Sequence, residues 1–448
     1  MRDRTLNAMQ VTTMLVSTSC GIGFLLGTGE IALHQGMAGC LYAVATALGL
    51  LMLAVFAPAL WRGGQSVWTR FDKLYGPTVG RNVALLSLVW MTGVLAAQIR
   101  GASAILALAG LPRPGAMLLI AALLFALSLV NLTWLSAGFA SCLLACSLVL
   151  VRSLITTRGV SVWLHAPASF AEAVQHRAFA HTGLVLLSVA AMVVCGADYQ
   201  QFAIAARKAS TARAGCLVAA ALVFAIGFLP ASTVIAAGAI ERWEEVTDPV
   251  QIIPVVLIHC LAGDMPAVAR DLVITVLVTA ALGSASSILR AMTDATATLG
   301  PLSFMRPVSS RVLPVLLGTL VASRPQSLVD MMVDLNVVYI AAVSPLLSLS
   351  LLRVRVSDGA AKAALATACS ISMASYLFRW VAAASLPEAA PPILSVLGAL
   401  VVAVPYRRHH IEPSSAPHVP EARQANTRPH AHRSAEFPSG FMGDADDG

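Results

Sequence analysis

The sequence predicts an all-α membrane protein of about twelve transmembrane helices, and three observations carry that reading. Hydrophobic residues make up 58% of the 448-residue chain and charged residues only 11%. A soluble domain carries about 25% charged residues, because its surface must meet water. The mean hydropathy is +0.79, so lipid rather than water covers most of the surface. Apolar runs also recur at the length of about 20 residues that a helix needs to cross hydrocarbon. They are too long and continuous for barrel strands, the other structure that satisfies its own backbone there.

The runs fall near 7–33, 37–60, 80–110, 115–132, 135–152, 180–205, 212–240, 268–298, 308–323, 328–352, 360–383 and 391–406. The fourth and fifth share one run, divided only at Asn131-Leu132-Thr133-Trp134. Basic Met1–Arg4 precedes the first, which lacks a small-residue cleavage site near residues 20–30 and contains Glu30, so it reads as a retained span. Thr247–Leu261 is too short and too polar at its start to span, and is expected as a surface helix forming part of a lid. From about His409 the composition turns to Pro, His, Ser, Ala and charge, which cannot bury a core. Residues 1–406 are therefore expected to form the membrane domain and 407–448 a disordered cytoplasmic tail.

Lys and Arg set the orientation. With the N-terminus cytoplasmic, Arg2, Arg4, Arg62, Arg70, Lys73, Arg81, Arg207, Lys208, Arg213, Arg306, Arg311, Arg353, Arg355, Lys362, Arg407 and Arg408 lie inside. Arg113, Arg152, Arg158, Arg177, Arg242 and Arg324 lie outside, three of them in or beside the expected outer loop 153–179. Sixteen against six favours a bacterial inner-membrane protein with both termini cytoplasmic. No stretch mixes Lys/Arg with aromatic residues on a soluble face, so nucleic acid is not a partner. The eight cysteines form no C-x-x-C pair and read as small buried hydrophobes. The tail histidines lack regular ligand spacing, no catalytic constellation lies within the spans, and no cofactor is expected. The chain therefore reads as something other than an enzyme, in contact with membrane lipid, as a monomer or weak homo-oligomer.

A charge within a bilayer costs at least about 2.5–3.5 kcal/mol and is by default a functional suspect. Glu30, Arg100 and Asp198 are the clearest, and Asp330 and Asp334 share one helical side at i, i+4. The first span is rich in Ser and Gly, from Ser17 to Gly23 and again at Gly27-Thr28-Gly29-Glu30. That composition fits either a broken helix whose freed backbone binds ions or solute, or close packing of small residues on a neighbour. Gly283-Ser284-Ala285-Ser286-Ser287 is a second polar cluster, whose hydroxyls could simply bond back to their own helix. Gly196–Gln201 is a third, marking either a cavity lining or a helix end.

Several segments in order resemble the sodium:solute symporter family. Gly36-Met37-Ala38-Gly39 with Tyr42, closing on Phe56-Ala57-Pro58, is similar to the family's second core span. Ala96-Ala97-Gln98 matches an alanine–glutamine element in the next. Asp198–Gly215 (DYQQFAIAARKASTARAG) resembles the signature at the sixth core span, and AALGSASSILRA from Ala280 the serine-bearing eighth. Ala341-Ala342-Val343-Ser344-Pro345 with Gly359-Ala360 resembles the tenth and its turn. The likeness covers roughly residues 10–380, with Phe202 where the signature carries Arg and Glu30 where a small residue is usual.

The resemblance implies two inverted five-helix repeats plus two C-terminal helices, with solute held between broken first and sixth core helices. It implies a secondary active transporter importing a small polar solute, an amino acid among the candidates, with Na+ or H+. Because the family's membrane unit also occurs fused to sensor kinases, a sensory or receptor domain is the alternative; the short tail favours transport. The solute site is expected at Gly29, Glu30, Gln98, Arg100, Tyr199, Gln200 and Tyr339. The sodium ligands implied are the carbonyls of Ser17, Cys20 and Ala280 and the hydroxyl of Ser284, with Gly283 where the family has a second hydroxyl. Glu30, beside a break in the first helix, is expected to contact solute or carry a proton, or else to pair with Arg100.

Overall fold

The computed structural model describes residues 4–130, 132–175, 179–240, 246, 248–262, 265–299, 309–324, 328–352, 354–382 and 390–408. The expectation for residues 409–448 lies outside this range, as do the side chains of Asp330 and Asp334.

Each apolar run is helical. The first is broken: α1 (Ala8–Ser19) and α2 (Ile22–Gln35) meet at Cys20-Gly21. A 3-10 turn at Gly36–Cys40 leads to α3 (Leu41–Gly63), the short α4 (Val67–Tyr75), α5 (Pro77–Ala107), α6 (Arg113–Leu127) and α7 (Leu132–Thr156). After α8 (Val160–Gln175), a second broken span follows, α9 (Phe179–Cys195) and α10 (Ala197–Ala205), bent by 45°. Next come α11 (Ala209–Gly227) with α12 (Leu229–Gly238), α13 (Ile252–Ala262), α14 (Pro266–Thr298), α15 (Ser309–Ala322) and α16 (Leu328–Leu351). The chain ends with α17 (Asp358–Ala382) and α18 (Ala390–Ala403). A short antiparallel pair, β1 (Arg355–Val356) and β2 (Arg407–Arg408), joins the flanks of these last two helices. By length and apolarity, four helical stretches among the described residues can each cross a membrane: Ile22–Gly63, Pro77–Ala107, Ala209–Gly238 and Pro266–Thr298.

The element lengths show the duplication. A broken span opens each half, and the long helices α5 and α14 have 31 and 33 residues. Behind them α6 and α15 have 15 and 14 residues, and α7 and α16 have 25 and 24. Each half also has one short connecting helix, α4 in the first and α13 in the second. Their attachments differ in the way an inversion requires. Leu6, before α1, pairs with Ala206, after α10, so one face carries the start of one broken span and the end of the other. The α4 connection lies on that face and α13 on the opposite one.

Small residues let the helices approach closely. A Cβ on Gly215 of α11 would come 2.7 Å from the Val11 Cβ of α1, and one on Gly227 would come 2.6 Å from Ala43 of α3. Packing of this kind drives helix association where lipid removes the hydrophobic incentive. Leu144, Leu187, Leu320 and Val401 remain exposed on the outside, as a lipid-facing surface requires.

Two expectations change. The expected loop at 153–179 is helical over its described part to Gln175, because α8 turns through 103° from the end of α7. Arg158 makes the corner at φ +55°, in the left-handed region that costs any residue with a Cβ free energy, and Gly159 abuts Ala236 too closely for a Cβ. Nor does the first helix break beside Glu30. Helix α2 is continuous through Gly27 and Gly29, and the break lies at Cys20-Gly21. Gly29 serves packing: a Cβ there would come within 2.8 Å of Ile253 Cδ1 on α13. The expected surface helix at 247–261 is present as the turn Pro249–Gln251 and α13.

Candidate functional site

The two breaks face each other in the middle of the bundle. Gly21 caps α2 without any side-chain hydrogen bond, and its Cα faces Ser284 and Gln98. A Cβ there would lie 2.8 Å from both Gln98 Nε2 and Ser284 Cβ. The second break is at Gly196, where a Cβ would lie 2.5 Å from Asp198 Oδ1 and 2.8 Å from the Met192 carbonyl. Tyr199 lies on α10, which packs against α1 and so brings the two breaks together.

A helix break leaves backbone groups without intrahelical partners. Three residues expected to bind solute are committed to these groups. Gly23 N donates to Gln98 Oε1 at 3.3 Å, which serves the first turn of α2. Gln200 Nε2 donates to the Val194 carbonyl at 2.7 Å. Tyr339 donates its hydroxyl to the Cys195 carbonyl at 2.8 Å. All three side chains are buried, so these bonds hold the broken spans in register.

The remaining expected solute residues lie farther out. Gly29 packs on α13, as described above. Glu30 is half-buried on α2, nine residues past Gly21, or about 13 Å along the helix at its usual rise. Arg100 donates to the Arg324 carbonyl beyond the end of α15, toward the face that carries α13. That face is further tied by Gln251, which donates to the Ala104 carbonyl at 2.9 Å, and by an ion pair between Arg113 and Asp248. The opposite face is tied by Arg4. Its guanidinium lies 4.0 Å from the Trp61 ring centroid, while Trp61 Nε1 donates to the Ala206 carbonyl at 2.7 Å.

The implied sodium ligands converge where α1 ends against α14. Ser284 Oγ donates to the Thr18 carbonyl across the interface at 3.5 Å, and Thr18 and Ser287 share a hydroxyl–hydroxyl bond of 3.0 Å. Ser286 and Ser287 instead bond back to the Gly283 and Ser284 carbonyls, at 2.9 and 2.8 Å. Ser284 and Ser287 thus both reach Thr18 on α1, whereas the Ser286 hydroxyl bonds within its own helix. Ser17 and Cys20 are buried in the same last turn of α1, and Ala280 lies one turn before Ser284. Carbonyls and a hydroxyl are oxygen donors suited to a hard cation, and Gly283 adds no side-chain oxygen.

Sequence reasoning singles out Asp198 as an intramembrane charge without placing it in the site. It is 2% exposed, and its Oδ1 has no hydrogen-bond partner among the described residues. Trp90 Nε1 and Asn336 Oδ1 are buried without partners in the same sense. An amide within an apolar run was a readable signal for Asn336. Nothing distinguishes Trp90 from an ordinary core aromatic until its ring is seen 5.6 Å from that of Tyr339.

No family model and no curated protein matches this sequence, but solved structures do. A Na+-coupled sialic acid symporter, substrate-bound and outward-open, superposes with a TM-score of 0.69 at 12% identity, covering 89% of each chain. Mhp1, a nucleobase-cation-symport-1 family transporter in a closed conformation with bromovinylhydantoin, gives 0.57 at 13% identity, over 90% of this chain and 92% of the other. MhsT in complex with L-phenylalanine gives 0.54 at 13% identity, over 90% and 99%. The chain thus has the inverted-repeat, broken-helix fold of these symporters, and the fold implied by the sequence resemblance is the one found.

Proposed function

We propose that this chain is a secondary transporter of the sodium:solute symporter type. It carries a small polar solute across a bacterial inner membrane by alternating access, driven by Na+ or H+. One observation carries the reading: two spans are broken at mid-bundle, at Cys20-Gly21 and at Gly196, with polar side chains gathered between them. Breaks of this kind expose backbone amides and carbonyls where the chain would otherwise be inert, and irregular backbone at membrane depth is tolerated only where it is buried or lines a cavity. The fold shared with Na+-coupled symporters supports the same reading.

In this scheme Na+ is cargo, held by carbonyls at the end of α1 and by Ser284 on α14. Binding there would draw α1 toward α14 and fix the break against which the solute rests. The ties at the two faces, Arg4–Trp61–Ala206 on one and Arg113–Asp248 with Gln251–Ala104 on the other, would open alternately. The balance of Lys and Arg supports both termini in the cytoplasm, which makes the Arg4 face the inner one. Uptake of a panel of labelled solutes into proteoliposomes, with and without a sodium or proton gradient, tests the reading. Accumulation of a solute against its gradient is expected, and equilibration alone under every gradient would reject it.

A further inference from the structure

We propose that Asp198 receives the cationic group of the solute, so that the transported molecule is a small amine also carrying a hydrogen-bonding oxygen. The inference deepens the transporter reading above and rests on it. Asp198 opens the first turn of α10, directly over the break at Gly196. Among the described residues no Lys, Arg or His forms an ion pair with it, and Oδ1 accepts no hydrogen bond. Burying a carboxylate without an ion-pair partner is costly. The first turn of α10 helps to hold the charge, but among the described residues nothing donates to Oδ1, which leaves that oxygen for a ligand.

The surroundings specify more than a charge. Tyr199 follows Asp198 on α10, α3 with Tyr42 packs against that helix, and aromatic faces favour an ammonium placed over them. Tyr339 bonds to the Cys195 carbonyl, its ring meets Trp90, and Asn336 lies one helical turn away on α16. Trp90 Nε1, a donor, and Asn336 Oδ1, an acceptor, are buried without partners among the described residues. A proton on Asp198 would satisfy one of these three groups. An amine bearing an oxygen can satisfy all three, with ammonium on Asp198 and its polar end on Trp90 and Asn336.

The test is equilibrium binding to the purified full-length chain in detergent, read as thermal stabilisation. The probes are 3-amino-1-propanol, neutral 1,3-propanediol, anionic 3-hydroxypropionate and n-propylamine, which lacks the oxygen. The aminoalcohol is expected to half-saturate at a concentration at least tenfold below the neutral and anionic probes. Asp198→Asn is expected to lose that preference and Asp198→Glu to restore part of it. Trp90→Phe, which keeps the charge, is expected to stop distinguishing the aminoalcohol from n-propylamine, and it serves as the test if the Asp198 variants fail to fold. Three results overturn the inference: no stabilisation by the aminoalcohol, equal binding of all charges, or an unchanged charge preference in Asp198→Asn. Loss of a pH dependence of uptake in Asp198→Asn with the charge preference intact would likewise overturn it in favour of a proton site. Charge-selective binding without any accumulation in proteoliposomes would reject the transporter reading alone. Accumulation with charge-indifferent binding would reject this inference alone.

Discussion

The Tyr339 hydroxyl donates to the Cys195 carbonyl across 2.8 Å, tying the middle of α16 to the end of α9, where the second broken span loses its own hydrogen bonds. A residue expected from the sequence to touch solute is therefore first a support for the break. Gln200 does the same for Val194.

Tyr339→Phe leaves the Cys195 carbonyl buried without that donor. An unsatisfied buried polar group costs about 1–3 kcal/mol, so the variant is expected to unfold more easily in detergent by that amount. A melting curve or denaturant titration measures it, and an unchanged midpoint would show that the carbonyl finds another partner.

Ser284→Ala and Ser286→Ala are expected to differ. Ser284 Oγ reaches the Thr18 carbonyl on α1, whereas Ser286 Oγ bonds within its own helix. If Na+ couples transport, the first change raises the sodium concentration for half-maximal uptake at least tenfold, and the second leaves it nearly unchanged. Gly283→Ser is expected to lower it by supplying an oxygen. Sodium activation curves in proteoliposomes separate the three.

Gly21→Ala places a methyl group against Gln98 and Ser284. Because α1, α2, α5 and α14 converge there, the change is expected to abolish uptake while the protein still reaches the membrane. Gly36→Ala is the contrast: a Cβ there meets nothing within 4 Å, but φ is +56°, so the cost is local strain and uptake is expected to persist.

Arg4→Ala removes the cation from the Trp61 ring, a contact worth about 0.5–1 kcal/mol at an exposed site, together with the 2.8 Å bond to the Trp61 carbonyl. The expected result is a shift toward opening on that face. Alkylation of Cys20, buried beside the first break, should quicken severalfold when the reagent comes from the Arg4 side, in a background where Cys20 is the sole cysteine. An unaltered rate would mean that this tie does not hold the face closed.

How far the sequence reached can be judged from single residues. The runs themselves were legible, because twenty apolar residues in hydrocarbon have no alternative to a helix. Gly21 and Gly29 show the limit. Both sit in one Gly-rich span, and composition gives each the same two readings, a break or close packing. The structure assigns the break to Gly21 and packing to Gly29, since Ile253 closes on the latter, and that choice depends on residues more than 200 positions away.

The sequence by itself determined a membrane-embedded helical chain, the order of its spans, a short surface helix near 247–261 and the presence of buried charge. Hydropathy and helix length are local properties, so they can be read locally. The tertiary structure decided which helix breaks where, that Gln98, Gln200 and Tyr339 are committed to backbone groups at the breaks, and that Asp198, Trp90 and Asn336 are left with unmet hydrogen-bonding capacity. Those outcomes depend on which partners lie across the bundle. A buried polar group becomes a support or a binding group according to whether its hydrogen bonds are already made, and only packed helices settle that.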